Sequence, residues 1–342
     1  MSKTSPTDPV WLSRLVPFAK PSSKRALIQL VDTVPPYLAL LSLMYLTIRW
    51  GVPLWVTLAL SIPAGLFLVR SFILFHDCCH GSFLKSRRGM DVLGTALGIL
   101  TFTPYADWRR SHGIHHSTVG NLDKRGIGDV MTKTVEEYEA SSPLARLKYR
   151  LYRHPFVLFI LGPLFIFLFT NRFPTKGALG LQKRSVLLTN LALLAIAVTA
   201  YFTIGLKAYL LIQLPTLFIA ATVGIWLFYV QHQFDPTYWE RNSVWGSTAA
   251  AIRGSSYYKL NPFLRWVSGN IGLHHIHHLM PRIPNYNLQA CLEAVPELKH
   301  KEALTFGKSI HSVSLNLWDE ARGKLVSFRE AHRSPRSGNS IV

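Results

Sequence analysis

The 342-residue chain has little cysteine and little charge. Three Cys, two of them adjacent (Cys78, Cys79), exclude a disulfide-stapled scaffold and read as thiols of a reducing compartment. Charged residues make up 16% of the chain, against about 25% in an ordinary soluble domain. Acidic residues are scarcest, 18 against 37 basic, which leaves a formal net charge of +19. A disordered basic tail is excluded, because 49% of the residues are hydrophobic and such tails have nothing to bury. Also missing is a Gly-rich nucleotide fingerprint following a strand. The polar start Met1-Ser2-Lys3-Thr4-Ser5-Pro6 lacks the apolar core of a cleavable signal, so none is expected. No repeat recurs at a solenoid period. Low charge points to a membrane and a basic excess to nucleic acid, and position along the chain decides between them.

Four runs carry no Asp, Glu, Lys or Arg: 33–48, 50–69, 185–206 and 208–231. A bilayer core needs about 20 mostly apolar residues per helix, so three runs qualify outright. The first is short; Ala26–Val31 could extend it, which would place Asp32 near the interface. Each consecutive pair is joined by a tight connection, which predicts two transmembrane helical hairpins. Two shorter apolar stretches, 92–106 and 155–171, contain Pro104, Pro155 and Pro163 and are expected to lie in plane or partly embedded. Of the 37 basic residues, only Arg49 and Lys207 fall in the hairpin tips. The positive-inside bias then predicts that both termini and the long middle segment are cytoplasmic. The expected organisation is a cytoplasmic N-terminal segment (1–32), a first hairpin (33–75), a cytoplasmic or interfacial segment (76–184), a second hairpin (185–231), a cytoplasmic cap (232–330) and a disordered tail (331–342). The fold class is an all-α integral membrane protein: four transmembrane helices in two hairpins, with a cytoplasmic helical cap.

What the chain has in abundance is histidine in tight groups. They are His76-Asp77-Cys78-Cys79-His80, His112-Gly113-Ile114-His115-His116 and His274-His275-Ile276-His277-His278. At this histidine content one H-x-x-H-H is expected roughly 0.02 times per chain by chance, and here there are two. Residues three and four apart share a helix face, so His76 and His80 project together. So do His112, His115 and His116, and likewise His274, His277 and His278, with His275 turned away. Eight such imidazoles exceed the needs of one ion and suit a pair of metals with positions open to a reacting molecule. Structural zinc sites are usually Cys-rich and closed, whereas Cys78 and Cys79 point off the ligand face and read as packing residues. A transporter would place its ligands inside the spans; these boxes follow the spans, which favours a catalytic site.

On these boxes the chain resembles the integral-membrane fatty acid desaturases. It is similar to their acyl-lipid branch, nearest the Bacillus-type delta-5 enzymes. The likeness covers about residues 20–330 and includes Asn121–Gly126, Tyr149–Arg153, Gly254–Leu260, Gly269–Gly272 and Pro281–Tyr286. The resemblance implies a di-iron centre of two ferrous ions, the eight box histidines as ligands, and a ninth at His232. Acyl-CoA relatives carry an Asn one turn before that histidine; here the residue is Phe228, which puts a water-mediated tenth contact in doubt. Three residues intervene in the first box, as in the acyl-lipid branch.

His154, His300, His311 and His332 have no box partner and read as surface or structural residues. Asp77, Asp107, Asp129 and Asn270 are candidates to orient ligating imidazoles. Trp108, Tyr257, Tyr258 and Trp266 are candidates to line an acyl channel or an interfacial belt. The resemblance implies oxygen-dependent insertion of a cis double bond into an acyl chain of membrane lipid. No acid-base dyad or nucleophile is expected beyond the metal ligands, nor any other cofactor. No fused haem domain is expected, because His154-Pro155 runs on into Phe156. Electrons would come from a ferredoxin- or flavodoxin-type donor, and the expected site is a bacterial inner membrane with no nucleic-acid partner. The competing readings are a di-iron membrane hydroxylase or carotenoid oxygenase and, more remotely, a metal transporter.

Overall fold

The computed structural model describes residues 9–300 and 302–333, leaving out the side chain of His300. The first eight residues, the tail from 334 and the expectation for His300 therefore lie outside the described residues. Helices α1 (Ser23–Val31) and α2 (Val34–Arg49) run on as one apolar unit, and α3 (Leu54–His80) returns from it. Between the hairpins come α4 (Arg87–Leu100), α5 (Tyr105–Thr118), β1 (Lys133–Thr134), α6 (Val135–Glu139), α7 (Pro143–Arg153) and α8 (Gly162–Leu168). The second hairpin is α9 (Gly180–Thr203) and α10 (Leu206–His232). Beyond it lie α11 (Ser247–Arg253), β2 (Tyr257–Tyr258), α12 (Pro262–Val267), α13 (His274–Leu279) and α14 (Asn285–Ala294). Then follow β3 (Ala303–Leu304), α15 (Phe306–His311), β4 (Leu317–Asp319), β5 (Lys324–Val326) and α16 (Phe328–Arg333).

Four helices are long and apolar enough to cross a membrane: Ser23–Arg49, Leu54–His80, Gly180–Thr203 and Leu206–His232. The all-α membrane architecture in two hairpins is therefore present. Two of the helices outrun the charge-free runs that announced them. At 27 residues each, α3 and α10 rise about 40 Å, longer than a hydrocarbon core of about 30 Å. Each continues past its apolar stretch and carries histidines on its last turns: His76 and His80 on α3, His232 on α10. The first box thus belongs to the second span itself.

The two charges that bracket the first hairpin's apolar runs neutralise one another. The Asp32 carboxylate sits 3.3 Å from Arg70 Nη2, while Arg70 Nε donates to Thr33 Oγ1 at 2.9 Å. The guanidinium also lies 4.2 Å from the Trp266 ring, which pins the hairpin to α12. Pairing is what makes a buried arginine tolerable at this depth.

Helices α3 and α10 form the central pair. They come close at Gly65, where an added Cβ would stand 2.6 Å from Ile219 Cγ2 and 3.2 Å from the Thr216 carbonyl. Small residues let membrane helices touch backbone to backbone. The two shorter apolar stretches differ. The first breaks at Thr101–Pro104 between α4 and α5. The second, Val157–Arg172, bends 59° from α7 and could count as a span only if joined to it across that bend. Short strands stitch the polar segments together: β1 runs parallel to β4, β4 antiparallel to β5, and β2 parallel to β3.

Candidate metal centre

The histidines come from four helices that end in one place. On α3 and α10 they follow the last apolar turns, on α5 they fill the second half of the helix, and α13 is little more than the third box itself. The helical spacing expected within each box is present. The structure sorts nine histidines into two groups that cut across the boxes. One holds His76, His80, His112, His116 and His277; the other holds His115, His232, His274 and His278. Within each group the offered ligand atoms lie within 4.8 Å of one another. His80 and His116 are partly buried and the other seven fully so. The second box splits, because His115 and His116 are adjacent in sequence and point to different groups. His275 stays out of both, its ring facing Tyr257 at 5.8 Å.

The spacing of the imidazole nitrogens carries chemical information. His116 Nε2 lies 3.1 Å from both His112 Nε2 and His277 Nε2. In the other group, His232 Nε2 is 3.1 Å from His115 Nε2 and 3.0 Å from His274 Nε2, which is 3.0 Å from His278 Nε2. His115 and His232 engage Asp129 and the Gly254 carbonyl through Nδ1–H, so their Nε2 atoms meet as two lone pairs, which repel unless a cation sits between them. Two donors about 2.1 Å from one ion and at right angles lie about 3.0 Å apart, so the donor set fits a first-row metal in each group. Burial, reinforced by neighbouring imidazoles, holds His112, His116, His274, His277 and His278 far below the usual histidine range. They are thereby kept neutral, the form that ligates.

Support for the rings comes partly from expected residues. Asp129 Oδ1 is 2.5 Å from His115 Nδ1, and Asp77 Oδ1 is 3.3 Å from His76 Nδ1. Asp77 is itself fixed by Asn285, whose backbone N–H and side-chain amide both donate to Oδ2. The other two candidates act elsewhere. Asp107 accepts from the Thr175 backbone N–H and hydroxyl, and Asn270 donates to the Asn285 carbonyl. The Gly254 carbonyl, 3.1 Å from His232 Nδ1, has no sequence signal, since any residue carries that atom.

Aromatic rings wall the site. Trp108 stacks on His112 at 4.2 Å, and Phe228 packs 5.4 Å from His115 and 5.5 Å from His232. Where a polar side chain could have held water beside the four-histidine group, the chain places a phenyl ring. Tyr258 instead bonds to Ser309, and Trp266 serves Arg70. Cys78 packs among Leu74, Phe75 and Phe83, in neither group. A cavity of about 500 Å³ lies among α2, the end of α4, α9 and α10, lined by Tyr37, Leu41, Ile99, Leu100, Phe102 and Ile212 among others. Leu100 also packs against the buried cluster that Phe72 and Trp108 flank, and Trp108 in turn stacks on His112.

Comparison with known proteins agrees with this chemistry. A sequence model described as fatty acid desaturase matches residues 53–308. A fatty acid desaturase of Bacillus subtilis (strain 168) is 47% identical over 320 residues, 94% of this chain and 90% of the relative. An sn-1 acyl-lipid omega-3 desaturase (ferredoxin) of Nostoc sp. (strain 36) is 26% identical, covering 79% of this chain and 73% of its own. An sn-1 oleoyl-lipid 12-desaturase of Synechocystis is 27% identical over 69% of this chain and 67% of its own.

Proposed function

The chain belongs to the fatty acid desaturase family, and from that premise we propose that its nine clustered histidines hold two iron ions at which a cis double bond is introduced into an acyl chain of membrane lipid. It is an acyl-lipid desaturase and an integral membrane protein. The observation that carries the two-iron assignment is the convergence of nine buried or partly buried imidazoles into a group of five and a group of four.

Iron, when bound, would activate O2 toward breaking an unactivated C–H bond, chemistry that no side chain can supply. In the balanced reaction one O2 accepts four electrons. Two come with the hydrogens of adjacent methylenes and two from an external donor, and with two further protons the products are an alkene and two waters. The protein's own work is positional. Asp129, Asp77 and the Gly254 carbonyl fix the orientation of His115, His76 and His232. Trp108 and Phe228 exclude water from the faces of the two groups. The cavity bounded by Leu100 and Phe102 is proposed as the seat of the acyl chain, and its depth as what sets which methylenes face the metals.

The bond position is proposed as delta-5, on the likeness to the Bacillus-type enzymes. A ferredoxin- or flavodoxin-type donor is proposed on two supports: the name of the Nostoc relative, and a net charge of +19 that would attract an acidic carrier. The basic excess outside the hairpin tips supports an orientation with both termini and the histidine site on the cytoplasmic side, in keeping with the six-segment division, and the setting proposed is a bacterial inner membrane. The test is expression in a host lacking the activity, with donor present, followed by fatty-acid profiling and double-bond location. A new alkene is expected with wild type and none with His115→Ala. A hydroxylated chain, or an unchanged lipid profile with wild type, would overturn the reading.

A further inference from the structure

The largest fully buried side chain among the described residues is a cation, Arg153 at the end of α7. All its partners are neutral. Nη1 donates to the Met131 carbonyl at 3.3 Å. Nη2 donates to Tyr229 Oη at 3.2 Å, Gln233 Oε1 at 3.0 Å and the Leu315 carbonyl at 2.6 Å. The Tyr229 ring faces the guanidinium at 5.5 Å, and Nε has no acceptor. A buried arginine without a carboxylate is unfavourable to stability, and a leucine would fill the same volume without desolvating a charge. What leucine lacks is the planar fork that grips several acceptors at once.

Three of the four gripped atoms belong to two arms of one metal group, and the fourth, the Leu315 carbonyl, lies in the C-terminal segment. Gln233 follows His232 directly, and Tyr229 lies one helical turn before Gln233. Met131 lies two residues beyond Asp129, whose carboxylate holds His115. A second bond ties the arms to each other, from Gln233 Nε2 to Thr132 Oγ1 at 3.0 Å. Three of the four partners of Arg153 thus lie on the segments that carry Asp129 and His232, and none is a residue of the five-histidine group.

We propose that Arg153 is the positioning residue of the four-histidine group, clamping the 129–132 loop to the end of α10 so that His115 and His232 meet. This rests on the two-metal reading above. The test loads purified full-length protein in lipid nanodiscs with ferrous iron under anaerobic conditions and measures metal per chain, release to a chelator and helicity. Wild type is expected to hold two ions. Arg153→Gln should keep its helicity and one ion, with affinity for the other about 10- to 100-fold weaker, the usual effect of removing a group that orients a ligand. Adding His277→Ala to Arg153→Gln should release the retained ion, and adding His232→Ala should not. Arg153→Lys keeps the charge but not the fork and should resemble Arg153→Gln. Arg150→Gln, on the same helix but bonded to Tyr138 and His332, should match wild type. Wild-type affinity for both ions in Arg153→Gln, equal loss of both, or full rescue by lysine would each overturn the proposal. A wild-type chain that binds no metal would overturn the two-metal reading beneath it.

Discussion

Replacing Asp129 by Asn should move the stability of the metal-free and metal-loaded protein in opposite directions. The Asp129 carboxylate is nearly buried, 7% exposed at the side chain, and one oxygen lies 2.5 Å from His115 Nδ1. Its other oxygen is buried with no hydrogen-bond partner. Without metal, that is a poorly compensated buried charge beside a buried imidazole. Removing the charge while keeping the shape and one acceptor oxygen is then neutral or stabilising, by about 1 kcal/mol. With metal bound, His115 carries part of the ion's charge and the carboxylate stabilises it through the shared N–H. Groups in this role contribute about 10- to 100-fold to metal affinity, or about 1.4 to 2.8 kcal/mol.

Because a ligand stabilises the folded state in proportion to its binding free energy, the thermal midpoint of iron-loaded Asp129→Asn should fall below wild type. The midpoint of the metal-free form should match or exceed wild type. The assay is thermal unfolding in nanodiscs, run after chelation and again after anaerobic iron loading, with chelator-release rates in parallel. Equal destabilisation of both forms would show that Asp129 is a packing residue. Unchanged iron release would show that its bond to His115 does nothing for the metal.

Two further substitutions probe the frame and the cavity. Gly65→Val should cost about 1–3 kcal/mol by wedging α3 from α10 where a Cβ would meet Ile219 at 2.6 Å, and Gly65→Ala should cost less. As those helices carry His76, His80 and His232, metal per chain should fall with the thermal midpoint; full metal occupancy at a lowered midpoint would separate helix packing from the site. Ile99→Trp should fill part of the cavity of about 500 Å³ and lower turnover of the longest acyl chains several-fold, or shift the bond position. An unchanged product distribution in the expression host would show that this cavity is not on the acyl path.

The parts of this protein that can be read from sequence are those whose physics acts over short range. Spans announce themselves because desolvating a charge in hydrocarbon is costly, so runs such as 208–231 contain none. Box histidines announce themselves because a helix repeats its face every three to four residues. Neither rule reports where a helix stops when its last turns leave the lipid but remain inside protein. Helix α3 therefore carries its apolar pattern on into His76 and His80, beyond the last residue a hydropathy reading assigns to it. The division of the nine histidines into five and four is equally out of reach. Adjacent residues on a helix differ by about 100°, so His115 and His116 diverge, and which group each joins depends on where α10 and α13 dock. Support for the rings follows the same logic. Asp77 and Asp129 were recognisable as charged residues near the boxes, as was Asp107, and only contacts across more than sixty residues put Asp107 on Thr175. Gly254 offers a backbone carbonyl, which every residue possesses, and its assignment to His232 comes from the tertiary fold alone. The paired charges Asp32 and Arg70 show how the two scales meet. Each reads locally as the limit of an apolar run, and only the hairpin that brings them within 3.3 Å turns two interruptions into one neutral join.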